Sequence, residues 1–204
     1  MVLGRARHTV LFLFGAIAWV ALYAVAAAPA WAHITEATGG GWSAGFAHPF
    51  SGIDHLVTMV AVGVWAVQMG ERAVWLMPAS FVMGTALGAM ISLAGVALPG
   101  AEDGVALSVA VLGVLLAVAA RPSLATGVAV VALFGLVHGY AHGAEMPQAA
   151  APVLYALGFL VATLVLHLLG IALGLAARSP VGQRLLPIGA AAMAGIGITL
   201  LLAL

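Results

Sequence analysis

Six apolar stretches, separated by short breaks, fill most of this 204-residue chain and leave it only one environment in which to fold. They run approximately over Pro49–Val67, Ala73–Ala97, Val105–Ala120, Leu124–His142, Pro152–Ala177 and Leu185–Leu204. A helix needs about 20 apolar residues to cross the hydrocarbon core of a bilayer, and most of the stretches meet that requirement. Val105–Ala120 is short, but Asp103 and Arg121 flank it cleanly. Only 6% of the residues are charged, against about a quarter in a soluble domain. The chain therefore reads as an all-α membrane protein, a bundle of about six transmembrane helices after an N-terminal signal sequence. The short connections leave no room for a soluble domain, so residues 33–204 are expected to form a single polytopic unit.

Residues 1–32 have the layout of a secretory signal. Arg5, Arg7 and His8 form a basic start, Thr9 to Ala28 an apolar stretch, and Ala30-Trp31-Ala32 a small-x-small cleavage site. The apolar part exceeds the roughly 7–15 residues usual for a signal, so an uncleaved extra helix is the alternative. Arg72, Arg121, Arg178 and Arg184 all fall in alternate connections, which the positive-inside rule places in the cytoplasm. The mature N-terminus is then outside. A formal charge of +0 argues against nucleic acid as a partner. No nucleotide-binding motif is present, and the lipid bilayer is the expected surroundings. With no cysteine in the chain, a bound metal meets imidazole, carboxylate, thioether or backbone ligands.

Such ligands are concentrated in two places. The fourth stretch ends in His138-Gly139-Tyr140-Ala141-His142-Gly143-Ala144-Glu145. On a helix His138 and His142 are one turn apart on one face, and Glu145 falls close to it. The first stretch opens with His48-Pro49-Phe50-Ser51-Gly52-Ile53-Asp54-His55. Pro49 suits a first helical turn, and the residue before a proline is pushed toward an extended conformation. Asp54 and His55 then fall more than a turn inside an apolar segment, where a charged side chain costs up to roughly 2.5–3.5 kcal/mol.

The two stretches run in opposite directions, so equal steps along each should meet at equal depth. His55 lies seven residues past His48, and His138 seven before Glu145, a rise of about 10 Å in each helix. The expected arrangement is a ladder, with His48 and Glu145 outermost, His142 between, and Asp54, His55 and His138 innermost. His48, Asp54, His55, His138, His142 and Glu145 are thus the candidate metal ligands. His167, deep in the fifth stretch, is either a second step of a pathway or a histidine bonded to a backbone carbonyl. Met59, Met83 and Met90 read as packing. Gly84 and Gly88, and Gly135, Gly139 and Gly143, are small-residue repeats that permit close helix contact.

The pattern His48-x5-Asp54-His55 together with His138-Gly139-x-Ala141-His142-Gly143-x-Glu145 resembles the paired signatures of the HupE/UreJ family. These are small bacterial nickel/cobalt permeases associated with hydrogenase and urease maturation. One departure is Val137, where the family usually has Phe, which touches packing rather than ligation. The resemblance implies a multi-pass protein of the bacterial inner membrane with a periplasmic mature N-terminus. It also implies a secondary permease, not an enzyme, importing Ni2+ or Co2+ as transported substrate, with those six residues needed for transport and no organic cofactor. The alternative carried beside it is an intramembrane zinc-dependent hydrolase, in which the same cluster holds Zn2+ with one position open to water. Haem ligation by one histidine from each helix is disfavoured by the carboxylates crowded among them.

Overall fold

The computed structural model describes residues 41–146 and 151–204. The expected signal segment, with its cleavage site after Ala32, lies outside them. Among the described residues the chain is helical throughout and has no strand. Helix α1 (Trp42–Ala47) runs into a 3-10 turn (His48–Phe50), followed by α2 (Ile53–Met69), α3 (Ala73–Leu93) and α4 (Ala101–Ala117). Then come α5 (Leu124–Ala144), α6 (Pro152–Ala176) and α7 (Pro180–Ala203).

Four of these helices, α3, α5, α6 and α7, are each long and apolar enough to cross a membrane. The segment of α1 and the 3-10 turn is long and apolar enough only when taken together with α2, from which it is bent by 81° at the break between them. Helix α4, with 17 residues, is shorter. Length and composition thus support four or five crossings where the sequence suggested about six. The chain is a multi-pass membrane protein. Large apolar side chains such as Trp75, Met83, Leu168 and Leu202 stand exposed on its flanks, as a lipid-facing surface requires.

Small residues decide which helices touch, because lipid supplies no hydrophobic drive for helix association. On α3, Gly84 and Gly88 abut Ala132 and Leu136 of α5, while Gly135 and Gly139 of α5 abut Phe81 and Thr85 of α3. The residue numbers rise together, so α3 and α5 run parallel. A Cβ on Gly139 would collide with the Thr85 carbonyl, and one on Gly88 with that of Leu136. Gly63 and Gly170 seat α2 against α6 in the same parallel sense. Gly113 and Gly197 seat α4 against α7 with the opposite sense. The histidine-bearing helix α5 is therefore clamped to α3, whereas α2 and α5 make little direct backbone contact. That leaves a gap between α2 and α5 for side chains to fill.

The entry to α2 differs from what Pro49 led us to expect. His48 is not extended: its φ of −56° and ψ of −48° are helical. The reason is local hydrogen bonding. The His48 carbonyl accepts both the Ser51 N–H at 3.0 Å and the Ser51 hydroxyl at 2.6 Å, which closes the 3-10 turn. The chain then breaks at Gly52 (φ −107°, ψ 126°), and α2 begins at Ile53. Asp54 consequently lies in the first turn of α2 rather than more than a turn inside a helix. There the helix macrodipole favours a negative charge.

Candidate metal centre

The bend at Gly52 folds His48 back over the start of α2, so that the His48 and His55 ring centroids are 6.4 Å apart. Across the gap, His55 Nδ1 lies 3.0 Å from His138 Nδ1. The His142 ring sits between the two ends of the cluster, 4.7 Å from the His48 ring and 4.1 Å from the His55 ring. At the open end His48 Nε2 is 3.2 Å from Glu145 Oε2, and His142 Nδ1 is 3.7 Å from the same oxygen.

Two sets of ligand atoms result, each lying within 4.8 Å of one another. One is His55, His138 and His142; the other is His48, His142 and Glu145. His142 belongs to both. Asp54 belongs to neither set, and instead flanks the inner one. Its Oδ1 accepts the His55 backbone N–H at 2.9 Å and lies 3.7 Å from His55 Nε2.

Burial is graded along the cluster. His138 is fully buried, His142 and His55 are buried, His48 is half-buried and Glu145 is exposed. The Phe159 ring of α6 walls the site, 4.3 Å from that of His142. Within the protein both His142 ring nitrogens lack a hydrogen-bond partner among the described residues. Buried polar atoms seldom stay unpaired, and an imidazole so placed retains its lone pair for a ligand.

Glu145 closes α5, its N–H bonding back to the Ala141 carbonyl. The His142 imidazole, with further help from His48, holds its carboxyl well down, to about 2, against the opposing pull of partial burial. Glu145 therefore stays ionised at neutral pH. Substituting Glu145→Gln should weaken metal binding by the purified protein about tenfold, roughly 1.4 kcal/mol, a modest loss because the carboxylate is exposed and screened. A ratio of mutant to wild-type affinity that collapses under mildly acid conditions would show that Glu145 titrates there after all.

His167 lies behind this cluster on α6. Only 1% of it is exposed, and neither ring nitrogen has a hydrogen-bond partner among the described residues. The carbonyl partner considered from the sequence is thus not the arrangement found. The Phe81 ring stands between the two, 5.6 Å from His138 and 5.1 Å from His167.

One residue escaped sequence reasoning. Ser108 of α4 is fully buried and its Oγ is 2.9 Å from His138 Nε2. Thr58 Oγ1 of α2 approaches the same oxygen at 3.3 Å. The available signal was faint: Ser108 is the one hydroxyl in the stretch Val105–Ala120.

A model of the family described as HupE / UreJ protein matches residues 20–200. The chain is also 42% identical over 161 residues to Protein HupE of Rhizobium leguminosarum bv. viciae, covering 79% of this chain and 84% of that relative. No solved structure matches it.

Proposed function

Because the chain belongs to the HupE/UreJ family, we propose that it is a secondary permease importing Ni2+, or Co2+, from periplasm to cytoplasm for metalloenzyme maturation. In this reading His48, Asp54, His55, His138, His142 and Glu145 handle the ion. The observation that carries it is the pair of ligand sets sharing His142. An ion taken by His48 and Glu145 can pass to His55 and His138 without ever leaving His142. Each transfer then exchanges ligands one at a time, which avoids a bare ion in a low-dielectric interior.

Two physical features favour a divalent transition metal. Asp54 and Glu145 together supply two negative charges against the ion's two positive ones, so the loaded site carries no net charge if the imidazoles are neutral. Imidazole ligands suit nickel, and the lack of thiolates disfavours copper(I).

Arg72 stands at the start of α3, and Arg121 and Arg178 lie in the α4–α5 and α6–α7 connections, at the opposite end of the helices from Glu145, which closes α5. With those arginines cytoplasmic, the exposed Glu145 end faces the periplasm and the ion moves inward from it. Thr58, Met59, Thr163 and His167 are the groups available beyond His55 and His138. Replacing His167 by Ala should reduce uptake several-fold less than replacing His138; complete loss would place His167 on the obligatory path. The zinc hydrolase reading gains no support from this family.

The test is uptake into proteoliposomes of the purified protein with nickel, cobalt and zinc competing. Nickel or cobalt accumulation without ATP is expected. A stoichiometric zinc that survives purification, with no uptake of any metal, would overturn the proposal.

A further inference from the structure

We propose that Ser108, supported by Thr58, is a positioning residue that holds His138 in its Nε2–H tautomer, so that the Nδ1 lone pair faces His55 and the metal path. The inference rests on His138 being a metal ligand, as the proposed function has it.

The argument is a count of protons. A serine hydroxyl has one proton to give and two lone pairs to accept with. Ser108 Oγ lies 2.6 Å from the Val105 carbonyl oxygen, which can only accept, so the single proton is committed there. Were it turned toward His138, two oxygens would face each other with lone pairs at that distance. Ser108 Oγ must therefore accept from His138 Nε2 at 2.9 Å, and that nitrogen carries the hydrogen. The Thr58 hydroxyl, 3.3 Å away, donates into the remaining lone pair. Every hydrogen-bonding position on Ser108 is then filled, as a fully buried hydroxyl demands.

A neutral imidazole with hydrogen on Nε2 has its lone pair on Nδ1. That atom is the one 3.0 Å from His55 Nδ1. His55 Nδ1 donates its hydrogen to that lone pair in the metal-free protein. A cation entering the path takes the place of that hydrogen, and the Asp54 carboxylate, 3.7 Å from His55 Nε2, marks the side of the ring to which it can move. Histidines that bind metals commonly donate their second ring N–H in this way, and loss of the outer partner typically costs about 10- to 100-fold in affinity.

The decisive readout is the tautomer of His138, observed by nitrogen-15 NMR of the metal-free, full-length protein in lipid, alongside Ni2+ titration of the same samples. Wild type should show Nε2–H. Ser108→Ala should show a mixture with Nδ1–H and bind Ni2+ about 10- to 100-fold more weakly. Ser108→Thr, which keeps the hydroxyl, should restore both. A wild-type His138 bearing hydrogen on Nδ1 overturns the inference without any variant having to fold. So does a Ser108→Ala protein with unchanged tautomer or unchanged affinity. A wild type that binds no Ni2+ would remove the permease reading instead, while the tautomer measurement, which needs no metal, would still decide the role of Ser108.

Discussion

Replacing His142 by alanine is expected to abolish nickel accumulation while leaving the protein in the membrane. His142 is the one residue common to both ligand sets, so its loss reduces each to two ligands and removes the bridge between them. His138→Ala should be nearly as severe, because it strips the inner set but leaves His48, His142 and Glu145 able to capture an ion. The two variants are therefore distinguishable. His138→Ala should retain measurable Ni2+ binding at the outer set, and His142→Ala should not. Uptake is measured with radioactive nickel, binding by titration of the purified protein. Wild-type accumulation in His142→Ala would mean that the ring only packs against Phe159.

The second large effect is expected at a residue with no side chain. Gly139→Val should silence transport with every proposed ligand still in place. A Cβ there meets the Thr85 carbonyl head on, so α3 and α5 must separate, and α5 carries His138 and His142 with it. Overpacking of this kind costs about 1–3 kcal/mol, which should appear as a lower melting temperature in detergent. Gly195→Ala on α7 is the control. Among the described residues nothing lies within 4 Å of a Cβ at that position, so stability should change by no more than about 0.5 kcal/mol. Full activity in Gly139→Val would show that the α3–α5 contact does not locate the histidines.

These two residues also show what could and could not be read from the chain. The clustering of histidines and carboxylates and their seven-residue offsets were legible, because an imidazole or carboxylate within an apolar stretch stands out against its neighbours. The glycine repeat on α5 announced a close helix contact, but not its partner. That partner is α3, through Phe81 and Thr85, and it depends on tertiary pairing that one sequence does not encode locally. The break before α2 was signalled by Pro49 and Gly52. Yet the helical conformation of His48 depends on the Ser51 hydroxyl reaching back to its carbonyl, and an isolated proline rule points the other way. Asp54 moved with that break, from an expected interior position to a helix start. Ser108 was invisible for a different reason. A lone serine in a transmembrane helix usually bonds to its own backbone, and this one does so while also meeting a histidine 30 residues away.

The central claim is that imidazoles from both sides of the gap between α2 and α5 hold the transported ion. It is tested most directly by diffraction from nickel-loaded crystals at the nickel absorption edge. The account predicts an anomalous peak about 2.1 Å from His55 Nδ1 and His138 Nδ1, with His142 completing the set. A nickel peak bound elsewhere, with those two nitrogens still bonded to each other, would contradict it.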